Sequence, residues 1–262
     1  HSFPRRVLFR SCPDTPEQII AHVKRLGIIE EIPHPFGNLV RVVDSQVQQL
    51  PYFRNNVLHL FALPALIACL LGTNHHLSVE RLNKAIVGIY DLLRSALFLR
   101  WSEDALRHEV IRLIDLLAGR GLLRRSEHGS ALLAPETQSQ EFIELHMIGE
   151  TVRPILGRHF LALALLQQRG SGKLTRFDLE TNCQLLSQRL SLLHGLGETE
   201  ASDKSDFTNL VANLLDAELL TADGEGLLHF DQQLLGPLAY AELVLTADTR
   251  QSIRRVAEQG PI

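Results

Sequence analysis

Val57–Leu71 reads VLHLFALPALIACLL, an apolar run of 15 residues that also carries His59 and an interior Pro64. Crossing a bilayer takes about 20 apolar residues, so the run does not read as a transmembrane helix. Its composition favours a helix that is buried in a core and kinked where Pro64 removes a backbone donor. The same stretch would also suit a helix laid on a membrane surface, or one docked against another part of a longer polypeptide. A chain built round such an element is expected to be mainly α.

Around this run the punctuation is that of short helices followed by ribbons. Thr15 is placed to cap a helix opened by Pro16-Glu17, with Ile19, Ile20, Val23 and Leu26 at helical spacing. Gly27 ends it, Ile28-Ile29 start a strand, and Leu39–Val43 returns after Pro33, Pro35 and Gly37-Asn38. The same order recurs in the helix Val110–Ala118 with strands at Leu122-Leu123 and Ala131–Leu133. It recurs again in the helix Phe207–Ala217 with strands at Leu219-Leu220 and Leu227–Phe230. Three helix-plus-ribbon units are expected, each resembling the end of a winged-helix module.

Longer helices are expected between these units. Ser78 caps Val79–Ser95, and Ser102 caps a helix starting Glu103-Asp104; Glu136–Gly149, Pro154–Gln168 and Phe177–His194 follow. A terminal helix should run from Gly236-Pro237 to about Glu258. Gly170-Ser171-Gly172 is the clearest internal break, dividing a helical region 12–169 with two units from a region 173–262 with the third. The opening His1-Ser2-Phe3-Pro4-Arg5-Arg6 lacks both Met and an apolar segment of signal-peptide length. Residues 1–11 are therefore expected to be foreign to the natural protein or disordered.

With 262 residues the chain can bury a substantial core, and 45% hydrophobic against 21% charged residues is ordinary globular composition. A net charge of -4 gives no bulk attraction to nucleic acid or an anionic bilayer. Cys12, Cys69 and Cys183 form no CxxC pair, which argues against a disulfide framework or a zinc site and for a reducing compartment.

Few residues fall in patterns that carry chemistry. There is no HExxH among the 12 histidines, and the adjacent His75-His76 make a poor chelating pair. There is no G-x-S-x-G elbow, and Gly170-Ser171-Gly172-Lys173 lacks the spacing of a phosphate loop. No cofactor and no metal are expected. The helix Phe207–Ala217 has no basic residue, and only the unit with Arg107, Arg112 and Arg124-Arg125 is basic, so nucleic acid is a poor partner, and a stand-alone winged-helix regulatory or nucleic-acid-binding module is the rival reading.

Three islands where polar residues interrupt apolar helices carry a resemblance. YFRNNVLHLFALPALIACLL (52–71), ALFLRW (96–101) and QRLSLLHG (188–195) resemble, in order and spacing, the C-terminal region of the bacterial membrane-associated glycerol-3-phosphate acyltransferases. The likeness runs from about Pro16 to Glu258. It implies a parent enzyme that moves a fatty acyl group from acyl-CoA or acyl-carrier protein to the sn-1 hydroxyl of glycerol 3-phosphate, a step of phospholipid biosynthesis. It also implies a peripheral position on the cytoplasmic face of the inner membrane. In that family a His-x4-Asp motif upstream supplies the base. Here the fifth residue after His22 is Gly27, after His59 Pro64, after His76 Arg81, after His108 Leu113 and after His229 Leu234. None of the other histidines matches, so no residue inherits the role.

The chain is therefore expected to be a non-catalytic region that packs on the acyltransferase domain or helps hold it at the membrane. Arg54, His59, Arg100 and Arg189 are the candidates for that junction, or for a place near an anionic substrate.

Overall fold

The structure, a computed structural model, describes residues 15–35, 37–46, 50–97, 99, 101–194 and 204–259. The opening segment expected to be foreign, Cys12 and Arg100 lie outside these residues, as do the side chains of Leu50–Asn56. Two compact units are present, His1–Leu60 and Phe61–Ile262.

In the first unit, α1 (Pro16–Arg25) starts at Thr15, whose hydroxyl accepts from the Gln18 amide while the Gln18 side chain accepts from the Thr15 amide. This reciprocal cap satisfies two of the donors that a helix N-terminus leaves open. β1 (Ile29–Ile32) and β2 (Leu39–Val42) pair antiparallel, Ile32 opposite Leu39. Leu50 opens α2 (Leu50–Asn74), a single helix with Pro64 inside it.

The second unit is organised round the later part of α2. Ala62, Leu63 and Ala65–Leu71 are all buried, so this helix is enclosed on every side. Val57–Asn74 has the length and hydropathy to cross a membrane, and 56% of it is buried inside the protein. β3 (His76–Ser78) and α3 (Val79–Leu97) follow. Leu82, Ile86, Ile89 and Leu93 of α3 repeat at helical spacing and are fully buried. The Tyr90 hydroxyl donates to the Trp101 carbonyl at 3.1 Å and accepts from its amide at 2.9 Å, fixing the link to α4 (Glu103–Gly119). Beyond β4 (Arg124–Arg125) and β5 (Ala131–Leu133) come α5 (Gln140–Glu150), α6 (Arg153–Arg169) and α7 (Arg176–His194). Next are α8 (Lys204–Asp216), β6 (Thr221–Ala222), β7 (Leu228–His229), α9 (Gln232–Leu235), α10 (Ala241–Val244) and α11 (Ala247–Gln259).

The chain is mainly helical with small antiparallel strand pairs at the three expected places, although the first strand of the second and third ribbons starts two residues late. Three other expectations are corrected. β3 joins the middle ribbon as an outer strand, Leu77 opposite Leu132, making a three-stranded sheet in the order β3-β5-β4. The helix expected from Glu136 begins at Gln140, because the Ser139 hydroxyl accepts from the Phe142 amide and caps it there. The single terminal helix is broken: Leu245 takes an extended backbone after α10, and the Thr246 hydroxyl accepts from the Thr249 amide at the start of α11.

Cys69 and Cys183 are buried, and burial pushes the Cys69 thiol up to about 11 and that of Cys183 higher still. Both should resist alkylation at pH 8 in the native protein and react on unfolding. Mass-spectrometric mapping of label sites reads this directly, and native labelling of Cys69 would contradict the packing of α2.

Candidate functional site

A cleft in the second unit has a volume of about 670 Å³ and lies where several helix ends meet. Its wall comprises the end of α2 (Gly72-Thr73-Asn74), His146 and Glu150 of α5, Arg153 at the start of α6, Glu242, and Leu245–Ala247 with Arg250. Most polar groups here are turned on one another, while the buried Arg250 Nε has no partner among the described residues. Arg153 donates through Nε to Glu150 Oε1 and through Nη1 to the Val244 carbonyl and, at 3.2 Å, to Thr73 Oγ1. Thr73 Oγ1 is 2.9 Å from the Cys69 carbonyl and 3.3 Å from that of Val244, and its one proton serves one of them at a time. Asn74 Nδ2 donates to the Leu70 carbonyl at 2.6 Å and the Leu243 carbonyl at 2.8 Å.

Two of these contacts, Thr73 with Val244 and Asn74 with Leu243, join residues about 170 positions apart. Together the bonds give the last α2 carbonyls and the turn after α10 the partners that buried backbone groups require. The cleft is therefore walled by a structural knot. Its only imidazole, His146, stands 3.7 Å from Glu150 Oε1, the oxygen already held by Arg153. No serine, threonine or cysteine is hydrogen-bonded to His146 among the described residues, so the pair lacks a nucleophile to activate.

A closer histidine–carboxylate pair lies elsewhere. His229 Nε2 is 2.8 Å from Asp223 Oδ2, and this bond is the first cause holding the Asp223 carboxyl below its ordinary range. Asp223 Oδ1 also accepts from the Glu225 and Leu227 amides, so the carboxylate shapes the exposed turn between β6 and β7. Among the described residues no group of three His, Cys, Asp or Glu is arranged to hold a metal ion.

The four candidates from the sequence are distributed as follows. Arg54 belongs to α2, with its side chain outside the described residues, and Arg100 lies outside them altogether. His59 is an exposed residue of α2 in the first unit, and Arg189 is a half-buried residue of α7 in the second. Thr73, Asn74, Arg153 and Arg250, which the cleft does gather, were not singled out by sequence. The available signal was the polar Thr73-Asn74 pair closing an apolar run, together with Arg153 before the helix-opening Pro154.

Comparison with known proteins decides the family. The family model described as the glycerol-3-phosphate acyltransferase C-terminal region matches residues 4–223. The chain belongs to this family. The glycerol-3-phosphate acyltransferase of Xylella fastidiosa strain M12 is 34% identical over 250 residues, covering 95% of this chain and 29% of that protein. The enzyme of the same name from Pseudomonas aeruginosa strain UCBPP-PA14 is 37% identical over 247 residues, covering 94% and 29%. The chain thus corresponds to a C-terminal region and spans about 29% of the length of these acyltransferases.

Proposed function

We propose that this chain is the helical platform of a glycerol-3-phosphate acyltransferase and is not itself catalytic. The parent enzyme would acylate the sn-1 hydroxyl of glycerol 3-phosphate from acyl-CoA or acyl-carrier protein, at the cytoplasmic face of the inner membrane. The observation that carries the reading is the joint one of family membership and an inward-turned cleft. The chain is similar to acyltransferases along 95% of its length, yet the cleft's carboxylates Glu150 and Glu242 are held by Arg153 and Arg81, and its imidazole, His146, has no nucleophile bonded to it among the described residues. The sequence contributes no His-x4-Asp to replace them.

In this reading the helix-plus-ribbon units are winged-helix-like packing pieces rather than readers of nucleic acid: α8 has Lys204 at its start and no basic residue after it, and in the middle unit Arg107, Arg112 and Arg125 are paired with Glu103, Glu109 and Asp115. Arg54, His59, Arg100 and Arg189 stand at the junction with the acyltransferase part or near its anionic substrate. Arg54→Ala in the longer enzyme is expected to lower specific activity or the yield of assembled protein several-fold. Wild-type activity and yield would remove Arg54 from the junction.

A further inference from the structure

Residues 15–46 fold without a core. None of the side chains described between Thr15 and Gln46 is buried. Ile19, Ile20, Leu26, Ile32, Leu39 and Val40 remain 37–59% exposed. The apolar residues of α1 lie at one helical spacing, and Ile32 and Leu39 face each other across the ribbon. What holds the piece together is peripheral: Lys24 to Glu31 at 2.8 Å, and Arg41 to Glu30 across the strands. Exposed ion pairs of this kind contribute little, and a lone two-stranded ribbon is marginal in water. Both outer edges of β1–β2 are unpaired among the described residues, and such edges are ordinarily paired, covered or charged.

The relatives indicate the occupant. The family describes a C-terminal region, and the shared stretch is 29% of the relatives' length, so the larger part of such a polypeptide precedes it. That part is covalently continuous with the end of the chain where the uncovered apolar side chains lie.

We propose that residues 15–46 belong structurally to that preceding part: the α1 stripe packs on it, and the β1–β2 ribbon is covered by it or extends one of its sheets. This deepens the platform reading above, resting on its claim of a longer parent. The attachment then comes from a segment outside the helical second unit.

Hydrogen exchange on the 262-residue chain and on the longer polypeptide tests it. Amides of 19–25 and 29–42 should exchange at least tenfold more slowly in the longer protein. Ile20→Asp combined with Val40→Asp should restore fast exchange there while leaving protection in 61–259 unchanged. Leu39→Ser serves as the milder variant should the double one fail to fold, and it should raise exchange of 29–42 alone. Equal exchange in the two proteins would overturn the proposal. So would protection in the short chain that grows with its concentration, which would identify a second copy, or that follows addition of anionic phospholipid vesicles, which would identify a membrane. Acyl transfer by the longer protein is scored separately. Activity without added protection would refute the docking and leave the family reading intact.

Discussion

Gly149→Val is expected to lower the stability of the second unit by about 2–3 kcal/mol. A Cβ on Gly149 would lie 2.9 Å from both the Cα and the amide nitrogen of Cys69, and 3.2 Å from the Ala68 carbonyl carbon. These are backbone atoms of the buried α2, so no side chain can swing aside and α5 must move off the core helix. The gain in helix propensity over glycine is a few tenths of a kcal/mol for valine, too small to compensate. Gly157 is the internal control. It lies within α6 with nothing within 4 Å of its would-be Cβ, so Gly157→Ala should stabilise by about 0.5–1 kcal/mol. Urea unfolding of the three proteins compares them. Equal midpoints for wild type and Gly149→Val would mean that α2 and α5 do not cross so closely.

Acidification should cost the fold about 3 kcal/mol through one residue, His159. It is buried on α6, its Nδ1 2.8 Å from the Ile155 carbonyl and its Nε2 enclosed without a partner among the described residues. Burial, assisted by neighbouring Arg158, lowers its pKa from 6.5 to about 4. Between those values the unfolded chain takes up a proton that the folded chain refuses. The contribution is therefore complete above pH 6.5 and drains away as pH falls toward 4. About 2 kcal/mol of it should be gone by pH 5, before most carboxylates titrate. Unfolding free energies measured from pH 7 to pH 5 should show this slope. His159→Leu should flatten it, and an unchanged slope in that variant would assign the acid sensitivity elsewhere.

Local chemistry made much of the fold legible. Thr15, Ser78 and Ser102 all cap where their spacing from the following apolar residues indicated, and the three ribbons fall at the expected turns. The later part of the apolar run 57–71, from Ala62 to Leu71, is a core helix, while Val57 and Phe61 at its start stay exposed. What escaped reading was non-local. β3 is three residues long and becomes a strand only by pairing with β5, more than fifty residues later. The break at Leu245-Thr246 makes sense once Arg153, Thr73 and Asn74 are seen holding the carbonyls of Val244 and Leu243. The cleft is built from the same contacts, each between groups that look ordinary in their own segments, so periodicity and spacing could not announce it. The absence of His-x4-Asp, by contrast, could be read from the string itself.

That absence is tested most directly by assaying the purified 262-residue chain, prepared from a host lacking its own glycerol-3-phosphate acyltransferase. It would be given labelled glycerol 3-phosphate with a long-chain acyl-CoA or acyl-carrier protein. The account predicts no 1-acylglycerol 3-phosphate above a heat-denatured control, at a protein concentration where circular dichroism shows the helical fold. Turnover that scales with the amount of folded chain would contradict it and require a base within these residues.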